Sequence, residues 1–180
     1  PVWDGMRAEA VIAAAREPVL ADLIRLSVLD CSTLDEAISH RMARKLGHNA
    51  LSEPYLFKLF VDVTASDPQI GACARSDLRA VVERDAACPG YLAPFMYFKG
   101  FQVLCAHRIA HRLWLNGRED IALYLQSIVS QVFSVDIHPA ARIGRGIMLD
   151  HATGIVIGET AVVEDGVSML HEATLGGTGK

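Results

Sequence analysis

Residues 137–180 decide the fold of the C-terminal part of this chain, because their sequence repeats every six residues. Cut in sixes, the stretch reads IHPAAR, IGRGIM, LDHATG, IVIGET, AVVEDG, VSMLHE, ATLGGT and GK, and an aliphatic or small residue heads the first seven segments. A period of six fits neither an α-helix nor a hairpin meander. It is typical of a parallel β-helix, in which each hexad forms one side of a triangular prism. Three hexads should make one coil, so the complete coils are expected at residues 137–154 and 155–172.

The sequence before this repeat carries the start and stop signals of helices. Ser32 or Thr33 should cap a helix that ends in basic residues and Gly47. Two further segments, GFQVLCAHRIAHRLWLNG and REDIALYLQSIVSQVF, have apolar residues at helical spacing. We therefore expect about six to eight packed helices over residues 1–134, followed by a β-helix over residues 135–180, which is an α+β chain of two domains.

Composition and charge argue against two classes of protein. The net charge is −4 at pH 7 and the basic residues form no long run, so a nucleic-acid surface is not expected. The longest uncharged apolar stretch, residues 121–135, has 15 residues and is too short to cross a bilayer. Charged residues in the first turns argue against a signal peptide, and four cysteines without CxxC spacing indicate reduced thiols. A cytoplasmic protein is expected.

The repeat stops abruptly at the C-terminus. Two coils are complete, and the third breaks off inside the glycine-rich LGGTGK. A solenoid needs about three repeats and a cap to bury its ends. The chain also starts at Pro1 rather than at a methionine. We therefore expect it to be a piece of a longer protein, truncated at its C-terminus.

The repeat and the helical part together resemble the serine O-acetyltransferases, a family of hexapeptide-repeat acyltransferases. The resemblance lies in GRGIMLDHATG and LGGTGK of the repeat and in VWDGMRAEA, HNALSEPYLFKLF and FKGFQVLCAHRIAHRLW of the helical part, and it covers nearly the whole chain. It implies that the β-helix is left-handed. It also implies that an acetyl group passes from acetyl-CoA, as co-substrate and without a metal, to the hydroxyl of L-serine. The product would be O-acetyl-L-serine for cysteine biosynthesis.

The resemblance implies an assembly as well. Members of this family typically form homo-oligomers, trimers or hexamers built from two trimers, with the helical domains joining the trimers. Many bind O-acetylserine sulfhydrylase through a C-terminal tail. That tail is absent here, so this partner is expected only for a chain that carries it.

His151, in LDHATG, is the candidate general base. An alcohol that attacks a thioester must lose its proton as the carbon–oxygen bond forms, and a neutral imidazole suits that task near pH 7. A carboxylate on the other ring nitrogen would fix the tautomer, and the resemblance supports Asp136 in that role. With three hexads per coil, residue 154 would lie directly beneath Asp136. The backbones at Asp136 and His151 would then be about 11 Å apart, a gap that two side chains leaning toward the corner can largely close.

The resemblance assigns further residues to the substrates. Asp85 and Asp150 match the family's anchors for the serine amino group, and Glu159 is expected to support the electrostatics around the base. Backbone contacts to the pantetheine arm of CoA are expected from three residues, Gly176, Gly177 and Thr178.

Three other interpretations stay open at this stage. The same β-helix occurs in acetyltransferases for sugars or xenobiotics, against which the long helical domain argues, and in zinc carbonic anhydrases. A zinc site needs three converging histidines, whereas His138, His151 and His171 occupy different hexad positions and should face different ways. His107 and His111 have the spacing of zinc ligands, but a structural role at a surface or interface is expected for both. The third interpretation is a non-enzymatic assembly module.

Overall fold

The computed structural model describes residues 1–48 and 50–176. Within these ranges, eight α-helices precede seven short strands. The helices are α1 (Val2–Arg16), α2 (Pro18–Ile24), α3 (Leu34–Leu46), α4 (Glu53–Ser66), α5 (Pro68–Arg84), α6 (Leu92–Tyr97), α7 (Lys99–Leu115) and α8 (Glu119–Phe133). A π-helical segment, Arg25–Leu29, continues α2. The structure confirms the predicted number of helices and their place before the repeat.

The predicted capping signals define the bounds of α3. Thr33 is its N-cap, and the Thr33 Oγ1 accepts a hydrogen bond from the Glu36 N–H at 3.1 Å. The Glu36 carboxylate accepts in turn from the Ser32 N–H at 2.7 Å. These two bonds satisfy backbone donors that the start of a helix leaves free. Gly47 follows the last helical residue, as expected.

The strands build a parallel β-helix. They are β1 (Asp136–Ile137), β2 (Arg142–Ile143), β3 (Met148–Leu149), β4 (Val156–Ile157), β5 (Val162–Val163), β6 (Ser168–Met169) and β7 (Thr174–Leu175). Their sheets are ordered β1-β4-β7, β2-β5 and β3-β6, and every pair is parallel. Each sheet is one side of the predicted prism.

The first coil is two residues longer than predicted. Asp136 pairs with Val156, a step of 20 residues, whereas Val156 pairs with Thr174, a step of 18 residues. The extra residues lie in the corner between β3 and β4, residues 150–155, since every other corner between successive strands holds four residues. The prediction that residue 154 lies directly beneath Asp136 is therefore wrong.

The longer corner is hidden in the sequence because each side of the prism has two inward positions. One is the second residue of a strand, such as the buried Ile137, and the other is the residue just before a strand, such as the buried Ile155. The residues that head the hexads occupy the first kind of position up to Leu149 and the second kind from Ile155 onward. An insertion of two residues therefore leaves the six-residue count of aliphatic residues intact.

The helical part and the β-helix share one hydrophobic core. The cluster of buried apolar residues extends from the helices through Val135 and Ile137 to Leu149 and Ile157. Helices α5 and α7 both pack against β3, and α8 packs against β1. Of the helices in the described part of the chain, none combines the length and the apolar character needed to span a membrane.

Candidate active site

A cavity of about 520 Å³ opens where α5, α7 and β3 meet. Its walls are the C-terminal end of α5, the segment around the start of α7, and β3 with the first residues of the corner that follows it. Asp85, Asp150 and His151 all line this cavity. The fold thus brings three residues predicted for the site, which are distant in sequence, to one space of the size that small-molecule sites have.

The corner of residues 150–155 holds His151 in an unusual backbone conformation. The φ angles of His151, Ala152 and Gly154 are 55°, 61° and 75°, all in the left-handed region. Non-glycine residues rarely adopt this region, and such strain concentrates at functional sites. Ala152 is fully buried, so the corner is anchored in the core. The His151 side chain, by contrast, is 76% exposed and accessible to a substrate.

The two acids of the cavity are held differently. The Asp150 carboxylate lies 3.8 Å from the His151 Nε2, which is too far for a hydrogen bond but places a negative charge beside the imidazole. Asp85 follows the last residue of α5, and its Oδ1 accepts a hydrogen bond from the Ala87 N–H at 2.9 Å. Both acids are half-buried. The cavity therefore has negative charge on the helical wall and on the β-helix wall.

The start of α7 supplies a cation that the sequence analysis did not single out. Lys99 lines the cavity, and its ammonium donates a hydrogen bond to the Thr153 hydroxyl in the corner that carries His151. The next residue, Gly100, packs directly on the Leu149 carbonyl oxygen, because a Cβ at Gly100 would overlap that atom. Neither Lys99 nor Gly100 stands out by residue type or spacing, although both lie within the segment FKGFQVLCAHRIAHRLW that carries the family resemblance.

Asp136 lies apart from this cavity. It lines a separate hollow of about 370 Å³ together with polar residues of α8. Gln126 Nε2 donates a hydrogen bond to the Asp136 Oδ1 at 2.6 Å, and within the described chain no hydrogen bond joins Asp136 to His151. A single chain therefore does not bring the predicted base and its predicted orienting acid together.

Two further predicted residues, Glu159 and Gly176, lie at other corners of the β-helix. Glu159 is exposed between β4 and β5, whereas His151 lies between β3 and β4. Gly176 follows β7 and stacks on Gly158, where a Cβ would lie 3.3 Å from the Gly176 Cα. Neither Glu159 nor Gly176 lines the cavity. Gly177 and Thr178 lie outside the described residues.

The rings of His151 and His171 lie side by side, contrary to the expectation that they face different ways. Their centroids are 6.3 Å apart. The two rings follow β3 and β6 by two residues each, and these strands pair in register, so the longer first coil aligns them. His138 instead packs edge-on against Trp114 at 5.1 Å. Over residues 1–48 and 50–176, no three His, Cys, Asp or Glu side chains converge as a metal site requires.

His107 and His111 join α7 to the start of the β-helix. Their rings stack with centroids 5.7 Å apart. Burial is the main cause that lowers the pKa of His107 to about 3, and a hydrogen bond to the backbone of Ala141 opposes this shift. The His111 Nδ1 lies 2.6 Å from the Pro139 carbonyl oxygen, to which it donates when it carries the proton. Both histidines therefore have structural partners at the junction of the two parts.

A helical domain that leads into a β-helix of six-residue repeats, with an imidazole at their junction, defines a class of hexapeptide-repeat proteins. Comparison with known proteins narrows this class. The family model described as "Serine acetyltransferase, N-terminal" matches residues 2–106. Serine acetyltransferase 4 of Arabidopsis thaliana is 48% identical over 180 residues, which are 100% of this chain and 51% of that protein.

Solved structures agree with this match. A crystal structure of serine acetyltransferase from Neisseria gonorrhoeae has a TM-score of 0.99 at 48% identity and covers 100% of this chain and 72% of that one. A structure of the Neisseria gonorrhoeae enzyme in complex with serine has a TM-score of 0.97 at 47% identity, covering 99% and 74% of the two chains. The chain belongs to the serine acetyltransferase family, and its fold is the predicted helical domain followed by a left-handed β-helix. It spans about half the length of the Arabidopsis relative.

Proposed function

We propose that this protein transfers an acetyl group from acetyl-CoA to the hydroxyl of L-serine, giving O-acetyl-L-serine and CoA in cysteine biosynthesis. One observation carries the proposal. The cavity unites an exposed imidazole, His151, with the carboxylates of Asp85 and Asp150, on the fold of the serine acetyltransferase family. A relative with this fold is known in complex with serine.

His151 is the general base in this proposal. Its neutral imidazole accepts the proton of the serine hydroxyl while the hydroxyl oxygen bonds to the carbonyl carbon of the thioester. The tetrahedral intermediate then breaks the carbon–sulfur bond, and the departing CoA sulfur takes the proton from the imidazolium. Asp150, 3.8 Å from the His151 Nε2, stabilises the imidazolium while it exists.

The charges of the cavity suit an amino acid. A serine zwitterion has an ammonium and a carboxylate, and an ammonium placed between Asp85 and Asp150 would gain from both negative charges. These acids reach the cavity from α5 and from the β-helix, so the ammonium would be held across the junction of the two parts. Lys99 and the N-terminal end of α7 add positive charge that favours a carboxylate in the same space.

The other predicted residues have supporting roles in the proposal. Asp136 is proposed to orient the base in the assembled enzyme, where the imidazole would replace Gln126 as its partner. Glu159 is proposed to act through its charge. The backbone of three residues, Gly176, Gly177 and Thr178, is proposed to contact the pantetheine arm of acetyl-CoA, which is a co-substrate rather than a bound cofactor.

The two parts of the chain are proposed to have different roles in assembly and acyl transfer. Residues 1–134 form the oligomerisation domain and contribute Asp85 to the substrate site, and residues 135–180 form the first coils of the acyltransferase domain. A homo-oligomer, either a trimer or a pair of trimers, is proposed from the family. O-acetylserine sulfhydrylase would be a partner only for a chain with a C-terminal tail. A cytoplasmic location remains a prediction.

The test is the release of CoA thiol from acetyl-CoA, measured for this chain and for the complete protein. L-serine is the acceptor, and a galactoside and water are the control acceptors. Release that depends on serine is the expected result for the complete protein, and release by this chain would show that its coils suffice. Release that depends on the galactoside, or that is equal with all three acceptors, would overturn the proposal.

A further inference from the structure

Asp77 and Arg108 form a buried ion pair between α5 and α7. The Arg108 Nη2 and Nε donate to the Asp77 Oδ2 at 2.6 and 3.2 Å. The exposed fractions of Asp77 and Arg108 are only 1% and 7%. Removing two charges from water is costly, so a pair at this depth requires that further hydrogen bonds satisfy both groups.

Those further bonds lead to the β-helix. The Asp77 Oδ1 accepts from the Ile147 N–H at 2.9 Å, and the Arg108 Nη2 donates to the Gly144 carbonyl oxygen at 2.9 Å. The corner of residues 144–147 is thereby tied to both helices at once. Because this corner runs directly into β3, the ion pair fixes α5, α7 and β3 relative to one another.

The same three elements form the walls of the cavity. Asp77 lies eight residues before Asp85, which is about 12 Å along the axis of α5. Ile147 lies three residues before Asp150, which is about 10 Å of extended chain. The separation of the two acids therefore depends on how α5 is docked onto the corner of residues 144–147. The buried ion pair determines this docking together with Arg84, whose exposed Nη1 donates to the Gly146 carbonyl oxygen at 3.1 Å.

We propose that Asp77 and Arg108 are positioning residues for an amino-acid substrate, which hold Asp85 at the distance from Asp150 and His151 that the substrate ammonium requires. Neither residue of the pair lines the cavity, so they act through the residues they position. This inference rests on the proposed function and extends it to residues outside the site.

Three variants test the inference. Asp77→Asn keeps the shape of the side chain but removes its charge, and Arg108→Lys keeps the charge but removes the planar fork that binds Asp77 and Gly144 together. Arg75→Gln is the matched control, because Arg75 pairs with Asp35 at 3.5 Å from the same helix and does not reach the β-helix. If Asp77→Asn does not fold, Arg108→Lys tests the inference by itself.

The first measurement is amide hydrogen exchange, which does not depend on any reaction. In Asp77→Asn and Arg108→Lys, exchange should become faster in residues 144–155 and around Asp85, while α1 and α4 stay as in the wild type. In Arg75→Gln, the exchange rates in residues 144–155 and around Asp85 should stay as in the wild type. If residues 144–155 and the residues around Asp85 exchange at wild-type rates in both Asp77→Asn and Arg108→Lys, the inference is wrong, whatever reaction the protein catalyses.

The second measurement is steady-state kinetics with the complete protein. Asp77→Asn should raise the KM for serine by roughly 10- to 100-fold, with the KM for acetyl-CoA nearly unchanged. The double variant Asp77→Asn/Asp85→Ala should resemble Asp85→Ala alone, since the acid being positioned is already absent. If the increases in the KM for serine caused by the two single substitutions multiply in the double variant, the inference is wrong. A wild-type protein that does not use serine would instead overturn the proposed function, and the exchange result would still decide the docking role of the pair.

Discussion

The imidazole of His151 lies edge-on to that of His171, with the ring planes 79° apart and the centroids 6.3 Å apart. His151 is on the strained corner beside Asp150 in the cavity, whereas His171 is on the next coil and does not line the cavity. The two rings are thus close in space but differ in their access to the two acids. This difference provides a matched pair of variants.

His151→Ala should lower kcat of the complete protein by at least about 10², because the serine hydroxyl would lose its proton acceptor. His171→Ala should reduce kcat far less, since it removes an exposed ring of the same size outside the cavity. Thiol release and circular dichroism of both variants check the rate and the fold. Near-normal turnover by His151→Ala would remove His151 from the mechanism, and equal losses would mean that the two rings act as a unit.

Asp136 and Gln126 allow a test of the orienting role. If Asp136 orients the base in the assembled enzyme, Asp136→Asn should lower kcat on the order of tenfold or more, because an amide stabilises the imidazolium less than a carboxylate does. Gln126→Ala removes the bond seen at 2.6 Å and should leave kcat near normal, since it frees the carboxylate for the imidazole. If both variants lose stability to the same extent and neither loses activity, Asp136 serves only to fix α8 to β1.

The free energy of unfolding should depend on pH in a way that reflects the protonation of His107. Its pKa is about 3 in the folded protein, because burial disfavours the charged ring, while an unfolded histidine has a pKa of about 6.5. Between these values the unfolded state binds more protons. The free energy of unfolding should therefore fall as the pH falls below about 6.5, by up to about 1.4 kcal/mol per pH unit from this residue.

Urea unfolding at about pH 7 and about pH 5 measures this loss for the wild type and for His107→Leu. The variant should show a smaller difference between the two pH values, because its side chain takes up no proton on unfolding. His171→Ala is the control, because it removes a histidine whose ring is exposed rather than buried. An unchanged difference in His107→Leu would mean that the buried ring does not control the acid sensitivity.

The sequence predicted the features that follow from local rules. The Thr33 cap and the six-residue period depend on neighbouring residues, and both are confirmed, the period with the exception of the corner of residues 150–155. The presence of Asp85, Asp150 and His151 in one cavity also agrees with the resemblance. The longer coil could not be predicted, because an insertion of two residues exchanges one inward position for another and leaves the aliphatic pattern unchanged.

Long-range partners were missed for a different reason. Gln126 binds Asp136 from the preceding helix, and Lys99 reaches Thr153 across 54 residues of sequence. Neither residue stands out by type or spacing, since a glutamine or a lysine on a helix is usually solvated. Such contacts depend on how α7 and α8 dock onto the β-helix, and the local pattern of a single sequence does not predict that docking.

The contact between Gly100 and the Leu149 carbonyl oxygen leads to a prediction about the cavity wall. Helix propensity alone would make Gly100→Ala stabilising, by at most about 1 kcal/mol, the value for a helix interior. We expect the opposite, a loss of about 1–3 kcal/mol in the free energy of unfolding, because the new methyl group would overlap backbone that cannot move aside. Gly5→Ala in α1 is the control, since its methyl group would meet only the edge of the Tyr91 ring at 3.3 Å. Urea unfolding compares the two variants, and equal stabilities would mean that α7 can withdraw from β3 without cost.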